Sequence, residues 1–176
     1  MEMHEPTPLV LGGVSIRQRM GVGPIRQRYE PIGGSSTLRL SGGTGIKMTN
    51  WSRTATTASG SGYLGPGLDA LDYSQPLELL CVAPREMIGT SPLFSLPAAE
   101  QRRPDVAPWG WALIGSNWRD TPVQMAGDAA ELEAVPGASA YRVFWLPRLV
   151  VFTSGIASEF DEATGLHDWS LAAEEI

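Results

Sequence analysis

Trp109-Gly110-Trp111-Ala112-Leu113-Ile114 is followed by Gly115-Ser116-Asn117, then by Trp118 to Met125, Gly127-Asp128, Ala129 to Val135, Pro136-Gly137-Ala138-Ser139 and Tyr141-Arg142-Val143-Phe144-Trp145-Leu146. This run, inside residues 107–152, decides the fold. Short apolar or alternating segments recur every 8–12 residues, and each gap holds a turn signal, so the spacing predicts antiparallel strands of a sandwich. Tyr141, Val143 and Trp145 fall on one face by the two-residue period, and Arg142 on the other. Pro147 places a break or an edge, and Leu149 to Phe152 resumes as a short strand.

Outward from that run the texture stays β-like. The chain has 20 glycines and 14 prolines among 176 residues, punctuation that suits many short strands better than long helices. Residues 1–35, with Pro6, Pro8, Gly12, Gly13, Gly21, Gly23, Pro24, Pro31, Gly33 and Gly34, read as an extended N-terminal arm with no room for a long regular element. Residues 36–176 read as one β-sandwich-like domain. Within it Thr37-Leu38-Arg39-Leu40, a Ser41-Gly42-Gly43 turn and Ile46-Lys47-Met48-Thr49 alternate like strands, Trp51 to Ser59 suits a strand, and Leu77 to Val82 reads as a buried one. Gly60 to Gly67 reads as a loop. Residues 158–176 read as an acidic hairpin about Thr164-Gly165, with Trp169, Leu171 and Ala173 on one face; a short helix over the last six residues is the alternative.

Charge is divided unevenly. Through Arg53, seven basic residues stand against three acidic ones, a net +4; the remainder has six against sixteen, a net −10, giving −6 for the chain. A cationic head and an anionic body are complementary to copies of the same chain. Inside the head, Ile16-Arg17-Gln18-Arg19 recurs as Ile25-Arg26-Gln27-Arg28. The pair is either a local duplication on a solvated loop or two short edge strands presenting Arg17, Arg19, Arg26 and Arg28 to carboxylates, which the guanidinium fork binds bidentately. Glu159, Asp161 and Glu162 in the base-free terminal hairpin are the proposed counterparts. The net negative charge disfavours nucleic acid.

Motifs for chemistry are weak. Gly60-Ser61-Gly62-Tyr63-Leu64-Gly65 matches a dinucleotide pattern, but Pro66-Gly67 and Pro76 leave no helix to receive a pyrophosphate. His4 and His167 are the only histidines, too few for a metal centre, and no Gly-x-Ser-x-Gly elbow is present. Asp161-Glu162 lacks the ligand spacing of a calcium loop. The single cysteine, Cys81, sits among Leu79, Leu80 and Val82 and reads as a buried small hydrophobe. No enzyme, cofactor, metal or small-molecule substrate is expected. The acidic start and the absence of about 18 consecutive apolar residues speak against a secretory leader and membrane insertion. Trp109 and Trp111 share a strand face with Trp118 across the turn; they either fill the sandwich core or form an aromatic platform for a protein or a sugar.

Ala129 to Leu146, with its Pro136-Gly137-Ala138 turn and Tyr141-Arg142-Val143-Phe144-Trp145, resembles the late strands of fibronectin type III-like modules. Leu38-Arg39-Leu40-Ser41-Gly42-Gly43, Lys47-Met48-Thr49-Asn50-Trp51-Ser52, Gly67-Leu68-Asp69-Ala70-Leu71-Asp72-Tyr73 and Asp168-Trp169-Ser170-Leu171-Ala172-Ala173-Glu174-Glu175 are similar to phrases in structural proteins of tailed bacteriophages, of the minor-tail or distal-tail group. The resemblance implies a virion subunit, made in the host cytoplasm, that forms a ring with copies of itself and with other tail proteins through arm exchange and strand addition. A glycan- or host-surface-binding module, and a capsid decoration or head–tail completion protein, are the alternatives.

Overall fold

A computed structural model describes residues 7–16 and 24–176. Fifteen strands follow in order: β1 (Leu9–Leu11), β2 (Val14–Ile16), β3 (Arg26–Arg39), β4 (Gly45–Gly62), β5 (Leu77–Leu80), β6 (Arg85–Gly89), β7 (Leu93–Ser95), β8 (Trp109–Ile114), β9 (Asn117–Thr121), β10 (Val123–Ala126), β11 (Ala129–Leu132), β12 (Ala138–Trp145), β13 (Arg148–Phe152), β14 (Ile156–Asp161) and β15 (Leu166–Glu175). Among the described residues the only helical element is a 3-10 turn at Ala99–Gln101. The fold is all-β and built from antiparallel sheets. Its contacts divide it into two compact units, Met1–Leu9 with Leu79–Leu149, and Val10–Glu78 with Val150–Ile176.

The first unit contains a four-stranded sheet, β6-β12-β8-β9, and a three-stranded one, β10-β11-β7. Both send residues into one core: Tyr141, Val143 and Trp145 from β12, Ala112 from β8, and Ala130 and Leu132 from β11, with Leu96 beside them. The shared face of Tyr141, Val143 and Trp145 is therefore as the period predicts. Tyr141 keeps its hydroxyl satisfied inside, accepting a hydrogen bond from the Val135 amide at 3.1 Å. The two-residue turns Gly115-Ser116 and Gly127-Asp128 each place a glycine at positive φ, 62° in both, as tight hairpins require. Trp118 to Met125, read as one strand, is instead two. Pro122 has no N–H for a ladder, so β9 stays on β8 and the chain leaves to begin β10 in the other sheet. Strands β6 and β7 carry no distinct signal in the sequence. Cys81 is buried, as its apolar neighbours suggest.

The same unit holds a fully buried arginine. Arg103 gives Nε and Nη2 to the two oxygens of Asp105 at 2.7 and 2.9 Å. Its Nη1 reaches the carbonyls of Pro8 at 2.8 Å and Cys81 at 3.0 Å.

The second unit holds β2, β3, β4, β14 and β15 whole; they belong to the larger sheet, ordered β2-β1-β5-β13-β15-β4-β3 with β14 beside β15. Residues 1–35, read as leaving no room for a long regular element, hold regular strands where described. Leu9–Leu11 and Val14–Ile16 flank a Gly12-Gly13 turn, and Leu11 and Ile16 are buried. Arg26–Arg39 is a 14-residue strand. It persists because all of it pairs with β4, from Arg26↔Ser59 to Arg39↔Gly45, with a bulge after Gly34. Arg17 and Arg19 lie outside the described residues. Strand β4 runs on to Gly62, so the loop expected from Gly60 begins later. The terminal hairpin forms as expected, Asp161↔Leu166 closing the β14–β15 ladder and Gly165 standing at φ 68°. The last residues form strand to Glu175, not helix, because β4 pairs with them.

Candidate assembly surface

The functional candidates of the second unit lie on four consecutive strands, β14-β15-β4-β3. One ladder row runs Ala157↔Ser170↔Ser59↔Arg26, and the next along it runs Ala172↔Thr57↔Arg28. Residues directly opposite share a face, and side chains two apart return to it. Arg26, Arg28, Ala157, Glu159 and Asp161 therefore all present on one face. Alternate β4 and β15 residues, including Thr56, Ala58, Trp169, Leu171 and Ala173, are buried on the opposite one.

The two charged groups do not meet within the chain. Among the described strands β3 ends the sheet, and β14 pairs with β15 alone, along the stretch of β15 that β13 does not take. Three strand spacings separate them, about 14 Å. Arg28 pairs instead with Glu30 on its own strand. On the far edge Asp161 is tied into the hairpin turn: Thr164 Oγ1 donates to Oδ2 at 2.8 Å and the Ala163 amide to Oδ1 at 2.9 Å. These bonds favour the ionised form, the Thr164 hydroxyl most, and hold the Asp161 carboxyl below the usual range. Glu159 and Glu162 are exposed.

The far half of the β3–β4 hairpin forms its strands and turn where the alternation of residues 37–49 predicts them; what sequence reasoning missed is that this half is the most conspicuous part of the surface. Residues 34–39 pair only with 45–51, and no other described strand lies alongside them. The pairs Leu38↔Ile46, Ser36↔Met48 and Gly34↔Trp51 put Leu38, Ile46, Met48 and Trp51 on one face, and Leu40 continues it. Each of these five side chains is 44–56% exposed. The other face carries Thr37, Arg39, Lys47 and Thr49. No acidic residue occurs between Glu30 and Asp69, so the ribbon is cationic. The signal for it was present in the alternation of residues 37–49, but Gly33-Gly34 and Pro31 read as breaks. Those glycines make room for an indole. A Cβ on Gly34 would stand 2.5 Å from Trp51 Nε1, and one on Gly33 2.5 Å from the Trp51 carbonyl oxygen. Gly34→Val is thus expected to push the Trp51 indole off the ribbon, seen as a red-shifted, more readily quenched component of the tryptophan fluorescence.

In the first unit Trp109, Trp111 and Trp118 come together, but on the face of the four-stranded sheet opposite Tyr141, Val143 and Trp145. Phe144 stacks on Trp109 at 5.5 Å and meets Trp111 edge-on at 4.7 Å. Arg142 lies 4.8 Å above the Trp118 ring and reaches Glu86 at 3.3 Å. The small residues between the tryptophans, Gly110 and Ala112, face the core instead. The three indoles are half-buried, an outer aromatic face that does not belong to the core cluster.

Among the described residues no group of three or more His, Cys, Asp or Glu side chains is placed to hold a metal ion. Among them, too, no helix is long and apolar enough to cross a membrane. Comparisons of the chain with models of protein families, with curated proteins and with solved structures find no match.

Proposed function

We propose that this chain is a structural subunit of a bacteriophage virion, in the tail tip or baseplate, where it forms a ring with copies of itself and contacts other tail proteins. The observation that carries the reading is the bare amphipathic ribbon at residues 34–51. A two-stranded hairpin without further support is marginal in water. Five large apolar side chains on one of its faces call for a covering surface. The bulk of the negative charge lies outside the ribbon, so another copy supplies a surface of the right sign. The ribbon takes the part of the exchanged arm, and the phrases shared with minor-tail and distal-tail proteins supply the setting. In this reading the first unit is a fibronectin type III-like sandwich, supported by the common core of its two sheets and by Tyr141 beside the turn.

Electron microscopy and sedimentation of the purified protein test this. Rings are expected, and Leu38→Glu with Ile46→Glu should abolish them while leaving the circular dichroism of the folded chain unchanged. A chain that stays monomeric at every concentration overturns the reading. The outer aromatic face favours one other reading, a module that recognises a host-surface glycan through Trp109, Trp111 and Trp118. Quenching of tryptophan fluorescence by oligosaccharides, lost in Trp118→Ala, would support that alternative.

A further inference from the structure

We infer that the ring is closed by strand addition between unlike edges, β3 of one copy against β14 of the next. This deepens the assembly reading above and rests on it. Strand polarity comes first. β14 is antiparallel to β15, β15 to β4, and β4 to β3. Three reversals leave β3 and β14 antiparallel to each other. A copy placed beside another in the same orientation therefore continues one antiparallel sheet, β14-β15-β4-β3 followed by β14-β15-β4-β3, without inverting a strand.

Length and charge fit the same junction. The stretch of β3 able to donate lies between Pro24 and Pro31, residues 25–30, and β14 is six residues long. Arg26 and Arg28 occupy the outer face on one edge; Glu159 and Asp161 occupy the same face on the other. The register with Arg26 opposite Asp161 and Arg28 opposite Glu159 pairs both arginines with carboxylates and sets Glu30 opposite Ala157. It is displaced by four residues from the rows within the sheet, so every side chain stays on its face.

Charge rejects one symmetric alternative, since pairing β14 with β14 would face carboxylates with carboxylates. Pairing β3 with β3 can set Arg28 against Glu30, but it leaves Arg26 and the carboxylates of β14 without a counterpart, whereas the unlike pairing matches both edges. A contact between different surfaces of identical subunits is heterologous, and it generates a ring where the rotation closes. Backbone hydrogen bonds provide the attachment, while the ion pairs, at about 0–1 kcal/mol each, select edge and register.

Complementary charge reversal provides the test. Variant R28E sets a carboxylate against Glu159, and E159R sets a guanidinium against Arg28; Asp161 is left in place because it ties the turn, and it still meets Arg26 in either variant. Each variant alone should assemble at least about tenfold more weakly than the unaltered chain. An equimolar mixture should recover assembly, because every junction between unlike variants is again attractive, and it should form only even-numbered rings. Amide exchange should slow in residues 25–30 and 156–161 on assembly of the unaltered chain. Assembly that survives both reversals, or protection confined to residues 34–51, overturns the edge junction and leaves the assembly reading standing. A chain monomeric under all conditions overturns both.

Discussion

Replacing Arg103 by methionine is expected to lower the free energy of unfolding by about 2–4 kcal/mol, read from urea denaturation. Methionine fills much of the same volume, so the loss isolates the hydrogen bonds. The guanidinium side chain has no exposed surface and serves three places at once. It accepts nothing and donates to the carbonyls of Pro8 and Cys81 and to both oxygens of Asp105. Without it the carbonyls of Pro8 and Cys81 each lose a bond from a charged donor, whereas Asp105, about half exposed, turns to water. Lysine at the same position should recover part of the loss only, because one ammonium cannot reproduce a planar fork. The comparison with pH has a definite sign. Hydrogen bonds from Arg103 hold the Asp105 carboxyl below its usual range, with burial opposing and the Arg103 charge assisting. A depressed carboxylate contributes stability that is complete above its unfolded pKa, about 3.9, and is lost as pH falls through the folded value. The gap between the unaltered chain and Arg103→Met should therefore be constant near neutrality and narrow below about pH 4. A gap that widens on acidification would count against the ion pair as its source.

Arg103 also shows where the sequence stops being readable. Nothing in Arg102-Arg103-Pro104-Asp105 marks the second arginine as buried, because its backbone acceptors come from residue 8 and from residues 80–81. Tyr141, Val143 and Trp145, by contrast, were legible because the two-residue period is local. So was the terminal hairpin, whose turn is written in Thr164-Gly165. The ribbon's strands and turn were legible in the alternation of residues 37–49, but the full length of β3 and β4 was not, since they keep it by pairing with each other over fourteen rows rather than by local propensity. Arg26 and Arg28, with Glu159 and Asp161, were legible as a complementary set but not as opposite edges. That placement depends on two intervening strands separated widely in sequence. For the tryptophans, size was the misleading guide to burial. Along Trp109-Gly110-Trp111-Ala112 the smallest residues point into the core, because the facing sheet comes too close for anything larger.

That closeness leads to the second large effect. Gly110 has ordinary negative backbone geometry, so its requirement is space alone. A Cβ there would stand 2.6 Å from Leu132 Cδ2, 2.8 Å from Leu132 Cγ and 2.9 Å from Val123 Cγ2. Leu132 is 1% exposed and has no outside volume to move into. Gly110→Ala should accordingly destabilise by about 1–3 kcal/mol through overpacking, and Gly110→Val by more. Leu132→Ala should destabilise by about 2–5 kcal/mol for the opposite reason, a cavity facing Gly110. The double variant discriminates. An alanine at 110 occupies part of the space that an alanine at 132 vacates, so the loss in the double variant should fall short of the sum of the two single losses by at least about 1 kcal/mol. Additive losses would mean that β8 and β11 do not press on each other at this row. A shortfall ties the four-stranded and three-stranded sheets into one core at a named contact, and with it explains why the indoles of Trp109 and Trp111 are turned to the outside.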